Sequence, residues 1–229
     1  MNIKRILSVA LATVTAVSVL SFTGCELVNS IIPGGDNQGN NNGGAGVNSL
    51  VMEAEYIDID EVAGAGVSNN NSGLSMIYGD GTDEQKEMWS GGYYVGYMHN
   101  DQTELEFVFN SSKASTANIS LSLGSELVDI TLNKDNFAIL VNGEQQVGYN
   151  WFVAYSEMDT AEFNECKLTA PVNLVEGENK ITIKVLSNDL GGEGVTRGPL
   201  LDYVKVTATD AELSWTPHED NPYRRDNEV

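Results

Sequence analysis

The sequence predicts an all-β fold, a two-sheet antiparallel β-sandwich of jelly-roll type, and three observations carry that prediction. About ten short stretches alternate apolar and polar residues, glycine is abundant at 23 residues with turn dipeptides at the junctions, and no stretch sustains a helical period. Of the 229 residues, 1–24 read as a leader, 25–48 as a linker, 49–209 as one domain of ordinary size and 210–229 as a tail without periodicity, partly docked or disordered, despite Trp215.

Lys4 and Arg5 open a short basic region, an apolar run spans 6–20, and small residues follow, the pattern of a secretory signal rather than a membrane span. Its end, Leu20-Ser21-Phe22-Thr23-Gly24-Cys25, resembles the lipobox of bacterial lipoproteins. That resemblance implies a lipid on the Cys25 thiol and an outward-facing, membrane-anchored extracytoplasmic protein. With Cys25 so used, Cys166 is the one remaining cysteine, and a single thiol makes no intramolecular disulfide. Its alternating context, Cys166-Lys167-Leu168-Thr169, suits a small buried residue better than a nucleophile. The stretch 26–48 holds Pro33-Gly34-Gly35, Asn40-Asn41-Asn42 and Gly43-Gly44-Ala45-Gly46, and reads as a flexible tether. Such a tether spans about 25 Å on average.

The strands follow in order. A first strand over 49–59 carries Glu53 and Glu55; a Gly/Asn/Asp-rich loop system over 61–87 contains one short strand at 74–78; a glycine-hinged aromatic strand covers 89–98. Leu105, Phe107 and Phe109 alternate with polar partners, as do Ile119, Leu121 and Leu123 with serines. Strands over 128–132 and 137–141 lead to the turn Asn142-Gly143, and 172–174 runs through Glu176-Gly177-Glu178-Asn179 into the clearest alternation of the chain, 180–186. A glycine-rich loop over 187–198 precedes the last strand, 200–206.

Glu53, Glu55 and Asp202 sit in segments flanked by apolar residues, where ionised carboxylates are costly unless neutralised. A hard cation such as Ca²⁺, held by these oxygens with backbone carbonyls and water, is one solution. Solvated strand faces and turns are the other, because the chain has 33 acidic against 12 basic residues. Loss of Lys4 and Arg5 with the leader takes the net charge from −21 to −23. So negative a surface repels phosphate backbones and anionic headgroups, which excludes nucleic acid and direct membrane binding by the domain; it is indifferent to neutral sugars.

Glu53-Ala54-Glu55, Gly91-Gly92 followed by Val95-Gly96-Tyr97-Met98, Val141-Asn142-Gly143, Leu174-x-x-Gly177-x-Asn179 and Leu201-Asp202-Tyr203-Val204-Lys205-Val206 form an ordered set across residues 50–208. In order and spacing this set resembles the carbohydrate-binding modules of families 6 and 35. The resemblance implies a β-sandwich with a structural Ca²⁺ on Glu53, Glu55 and Asp202. It also implies a sugar cleft among loops at one end, gripped by Tyr97, by an aromatic from 144–164 and by Asn188. That central loop offers Tyr149, Trp151, Tyr155 and Phe163, with the usual tryptophan spacing falling nearest Phe163. Trp89 and Trp151, in stretches of polar composition, are further candidates for stacking on a pyranose. For Tyr97 a core role, and for Asn188 a turn role, stand as alternatives.

His99 and His218 have no motif company, and neither a Gly-x-Ser-x-Gly elbow nor a His-Glu-x-x-His helix occurs. Carboxylate pairs alone carry no weight in so acidic a chain. The expectation is a lipid-anchored, non-catalytic module that captures polysaccharide or oligosaccharide. The alternative is the same Ca²⁺-stabilised sandwich docking a protein or envelope partner through a degenerate cleft.

Overall fold

The computed structural model describes residues 26–27, 47–57, 75–78, 90, 93–96, 98, 103–125, 128–156, 162–187, 189–192 and 198–218. Among them the fold is antiparallel β-structure with a single 3₁₀ turn, Ala54–Tyr56. The larger sheet runs β1 (Glu26–Leu27), β11 (Asn164–Lys167), β6 (Ser115–Ser125), β14 (Pro199–Ala208), β4 (Tyr93–Gly96), β3 (Ser75–Tyr78), with β12 (Val172–Leu174) beside β6 and β2 (Ser49–Glu53) beside β14. The smaller sheet runs β15 (Leu213–Ser214), β5 (Glu104–Ser111), β13 (Gly177–Val185), β8 (Phe137–Val141), β9 (Glu144–Gln145). A ribbon of β7 (Ile130–Asn133) and β10 (Asn150–Val153) completes the two-sheet sandwich of jelly-roll type.

Alternation sets which face of each strand is inside. In the smaller sheet Phe107 lies opposite Ile181, Leu105 opposite Ile183, and Ile183 in turn opposite Ile139. In the larger, Leu121 lies opposite Val204 and Ile119 opposite Val206. These side chains are fully buried and join one continuous core, so the two inner faces pack on each other. Each Phe or Leu removed from water contributes roughly 1.5–3 kcal/mol.

Two of the motifs behind the family resemblance are turn locks. Asn142 (φ 52°) and Gly143 (φ 84°) form a two-residue hairpin between β8 and β9. Both need positive φ, which Asn and Gly tolerate best. The Asn142 side chain accepts from Lys180 N and donates to Asn179 Oδ1, both at 2.9 Å. Buried Asn179 accepts from Val175 N and donates to Val175 O and Gly177 O, closing the turn in which Gly177 has φ 87°.

The expected order of strands holds for β5, β6, β8, β12, β13 and β14, with ends shifted by a few residues. Three features differ, and a fourth settles an open alternative. The first strand stops at Glu53, and Glu55 lies in the 3₁₀ turn. β9 and β10 occupy the stretch 144–164 read as a loop, and β11 starts at its end. Residues 211–218 of the tail are docked, through β15 on β5, with Trp215 packed on the core and His218 N donating to Tyr56 O. The first residues after Cys25, read as tether, pair as β1 with β11, and Val47 bridges Leu213.

Candidate functional site

Asp202 lies where β14 changes register. Leu201 faces Leu123 and Val204 faces Leu121, so Asp202 and Tyr203 together oppose the single residue Ser122. A bulge of this kind bends the strand and re-aims side chains. Leu121 and Leu123 are in the core, so Ser122 between them points to the other side of the sheet, and its hydroxyl donates to Asp202 Oδ2 at 3.1 Å. Asp202 therefore sits on the sheet's outer face, yet it is only 2% exposed.

β2 brings in the second carboxylate, because Glu53 pairs with Tyr203. Ser90 joins the two: its backbone N–H donates to Asp202 Oδ1 at 3.0 Å and its hydroxyl to Glu53 Oε1 at 2.6 Å. Burial pushes the Glu53 carboxyl up to about 7, against the lowering effect of the Ser90 bond. Asp202 is raised well above the ordinary range, by burial first and by the Glu53 charge second, with the Ser122 and Ser90 bonds pulling the other way. Tyr203 beside them is raised to about 12, by burial and then by the charges of Glu165 and Asp202. Glu165 accepts from Ser120 at 2.6 Å on the same face.

The pair is chemically suited to a hard cation. The donors are all oxygen, Asp202 is buried and Glu53 half-buried, and the Glu53 Oε2 atom is itself buried without a hydrogen-bond partner. Glu55 is fully buried in the turn that follows, and among the described residues no group of three or more His, Cys, Asp or Glu is placed to hold a metal ion. The structure thus gathers Glu53 and Asp202 of the expected trio around Ser90, and sequence reasoning missed Ser90.

Two sugar-contact candidates are corrected. Trp151 is 1% exposed on the inner side of β10; its Nε1–H donates to Lys167 O at 3.1 Å and its ring packs on Tyr149 at 4.6 Å between centroids. Phe163 is buried in a small outer cluster with Tyr94 and Leu200, its ring 5.3 Å from that of Tyr94. Neither ring offers a free face to a ligand. Tyr97, Trp89, Asn188 and Cys25 lie outside the described residues. Among the described residues the exposed aromatics are Phe152, at 46%, and Tyr155, at 55%. Phe152 was legible as the outward position between Trp151 and Val153. Cys166, expected to lack a partner, is fully buried and disulfide-bonded.

No protein-family model matches the chain, and no curated protein matches it. Among solved structures it is similar to a Podospora anserina GH26-CBM35 β-(1,4)-mannanase, with 17% identity and TM-score 0.45 over 71% of this chain and 28% of that one. It is also similar to the CBM35 from Cellvibrio japonicus Abf62, with 12% identity and TM-score 0.41 over 72% of this chain and 96% of that one. A family 35 carbohydrate-binding module from Clostridium thermocellum gives 18% identity and TM-score 0.42 over 69% and 96%. The chain thus spans little more than a quarter of the mannanase and nearly the whole of the two isolated modules.

Proposed function

We propose that the protein is an extracytoplasmic, non-catalytic carbohydrate-binding module whose sandwich is fastened by a structural Ca²⁺. One observation carries this reading: Glu53 and Asp202, two of the three carboxylates that the motif resemblance singled out, meet around Ser90 from opposite ends of the domain. Glu53 and Asp202 would hold the ion, which supplies positive charge where a proton is otherwise needed. The strongly acidic surface leaves neutral glycans as the compatible ligand class.

A glycan array probed in Ca²⁺ and again in chelator tests the reading. Binding to at least one neutral polysaccharide is expected; no binding to plant, host or microbial glycans counts against it. The second reading, a sandwich that docks a protein or envelope partner, draws on the burial of Trp151 and Phe163, which removes two of the stacking platforms. A partner recovered from envelope extract, with retention unchanged by Tyr97→Ala, supports that reading instead.

A further inference from the structure

Asn142-Gly143 closes the β8–β9 hairpin, and both residues take positive φ. Asparagine followed by glycine is also the dipeptide most prone to lose its side-chain amide, because glycine has no Cβ to shield the backbone nitrogen that attacks. What matters is where the fold holds the amide. Both of its polar atoms are bonded to β13: Oδ1 accepts from Lys180 N and Nδ2 donates to Asn179 Oδ1, each at 2.9 Å. The Asn142 backbone N–H donates to Lys180 O, also at 2.9 Å, so main chain and side chain grip the same neighbour. Attack by Gly143 N on Cγ needs the amide turned out of this position, which breaks both side-chain bonds.

The partners fix which atom faces which. Lys180 N–H can only donate, so Oδ1 faces it and Nδ2 faces Asn179. Asn179, 1% exposed, is fixed in the same way: its Oδ1 also accepts from Val175 N at 2.9 Å, and its Nδ2 donates to Val175 O and Gly177 O at 2.9 and 3.0 Å. It cannot turn a donor toward position 142 without giving up those three bonds, a costly loss at a buried site.

We propose that Asn142 is a latent deamidation site, kept intact by the native lock and converted one way when the hairpin opens. The Gly143 nitrogen bonds to Asn142 Cγ and gives up its proton, the Cγ–Nδ2 bond breaks, and ammonia leaves with Nδ2. Water then opens the cyclic imide at either carbonyl, giving aspartate or isoaspartate at 142. The net change is one water in and one ammonia out, with no redox partner. The product does not rebuild the lock. One carboxylate oxygen can still accept from Lys180 N, but the other meets Asn179 Oδ1, acceptor against acceptor; isoaspartate also adds a backbone carbon to a two-residue turn. The opening is local, since β9 has two residues, both exposed, and segments with few buried contacts open at a fraction of the global unfolding energy. Conversion at 142 thus records how often this end of the smaller sheet has opened.

The test is peptide mapping by mass spectrometry of the full chain held at mildly alkaline pH, folded and in urea, with the aspartate and isoaspartate products separated by chromatography. The chain's other Asn-Gly pair, Asn42-Gly43, shows in urea that the conditions drive the reaction. Conversion at 142 should be slower in the folded chain than in urea by at least about tenfold, the factor that a local opening energy of roughly 1.4 kcal/mol gives. Asn179→Ala, with its fold checked by circular dichroism, should bring the folded rate toward the urea value. Asn142→Asp, which copies one product, should melt below the parent chain. Equal rates at 142 in the folded and unfolded parent, a folded Asn179→Ala chain no faster than the parent, or an Asn142→Asp variant as stable as the parent overturns the proposal. If Asn179→Ala does not fold, the parent comparison and Asn142→Asp decide it. None of these outcomes depends on whether the domain binds glycans.

Discussion

The Glu53 and Asp202 pair should make the metal-free domain lose stability as pH rises through the neutral range. Glu53 has a folded value of about 7 against an ordinary 4.5, so between those values the native state keeps a proton that the unfolded chain has released. The unfolded state then binds fewer protons, and stability falls with rising pH; the effect is fully present below about 4.5 and gone above about 7. At 1.36 kcal/mol per unit the loss is about 3 kcal/mol, and Asp202, raised in the same direction, adds to it. For a domain of this size that is on the order of 10 °C in melting temperature. Asp210, lowered by its bonds with Lys113 and Ser115, acts in the opposite sense but at more acidic pH, outside this window. Thermal unfolding followed by near-ultraviolet circular dichroism, in chelator at pH 5 and pH 7.5, measures the fall. Excess Ca²⁺ should abolish most of it, because the ion takes the proton's place; at a hundred times its dissociation constant it contributes about 2.7 kcal/mol. Equal melting temperatures at the two pH values, with no response to Ca²⁺, would refute both the strained pair and the ion.

The other predictions concern side chains the structure relocates. Trp151→Ala should cost about 3–5 kcal/mol in urea unfolding, since it empties a core position and removes the hydrogen bond from Trp151 Nε1 to Lys167 O. Gly124→Ala should cost about 1–3 kcal/mol by the same measurement, because a Cβ there meets Glu162 O at 2.9 Å and the Phe163 ring at 3.4 Å. Phe152→Ala and Tyr155→Ala should change stability by no more than about 0.5 kcal/mol, both being exposed. If the glycan ligand stacks on this ribbon, titration calorimetry should show weaker binding for each.

The inner faces of β5, β6, β13 and β14 were readable because each strand presents several alternating residues, enough to fix a period of two against solvent. The stretch 144–164 was not. β9 has two residues and β10 four, too few to separate a strand from an aromatic-rich loop, so Trp151 was read as a ligand platform. In fact Trp151 and Val153 take the inward positions opposite Leu132 and Ile130, and Phe152 points out. Phe163 misled for a different reason. It covers the outer face of β6 where Gly124 has no side chain, and a glycine inside a strand is itself a mark of such an approach. The apolar flanks of Glu53 and Asp202 raised a cation as one of two readings, and the motif set linked the two residues, since nothing local ties them; the β2–β14 pairing does so in three dimensions.

The bulge in β14 decides whether the carboxylate at 202 is tolerable at all. Val204 and Val206 face the core, and an unbroken period of two would put position 202 on that same face, among Leu121 and Leu123. The extra residue lets Leu201 fill the core while Asp202 turns outward to Ser122 and Ser90. A structure shaped to keep an acid at this position, where burial works against its charge, makes sense if the acid has a cationic partner. Asp202→Asn separates the alternatives. The amide preserves shape and can still accept from Ser90 N while its NH₂ donates to the Ser122 hydroxyl, so the strand and bulge should persist. If charge repulsion is the liability, the variant at pH 7.5 in chelator should melt above the parent chain. In Ca²⁺ the order should reverse, because the parent gains the ion and the variant does not. A variant less stable than its parent by the same margin in both conditions would mean that Asp202 serves the fold as a hydrogen-bond acceptor alone.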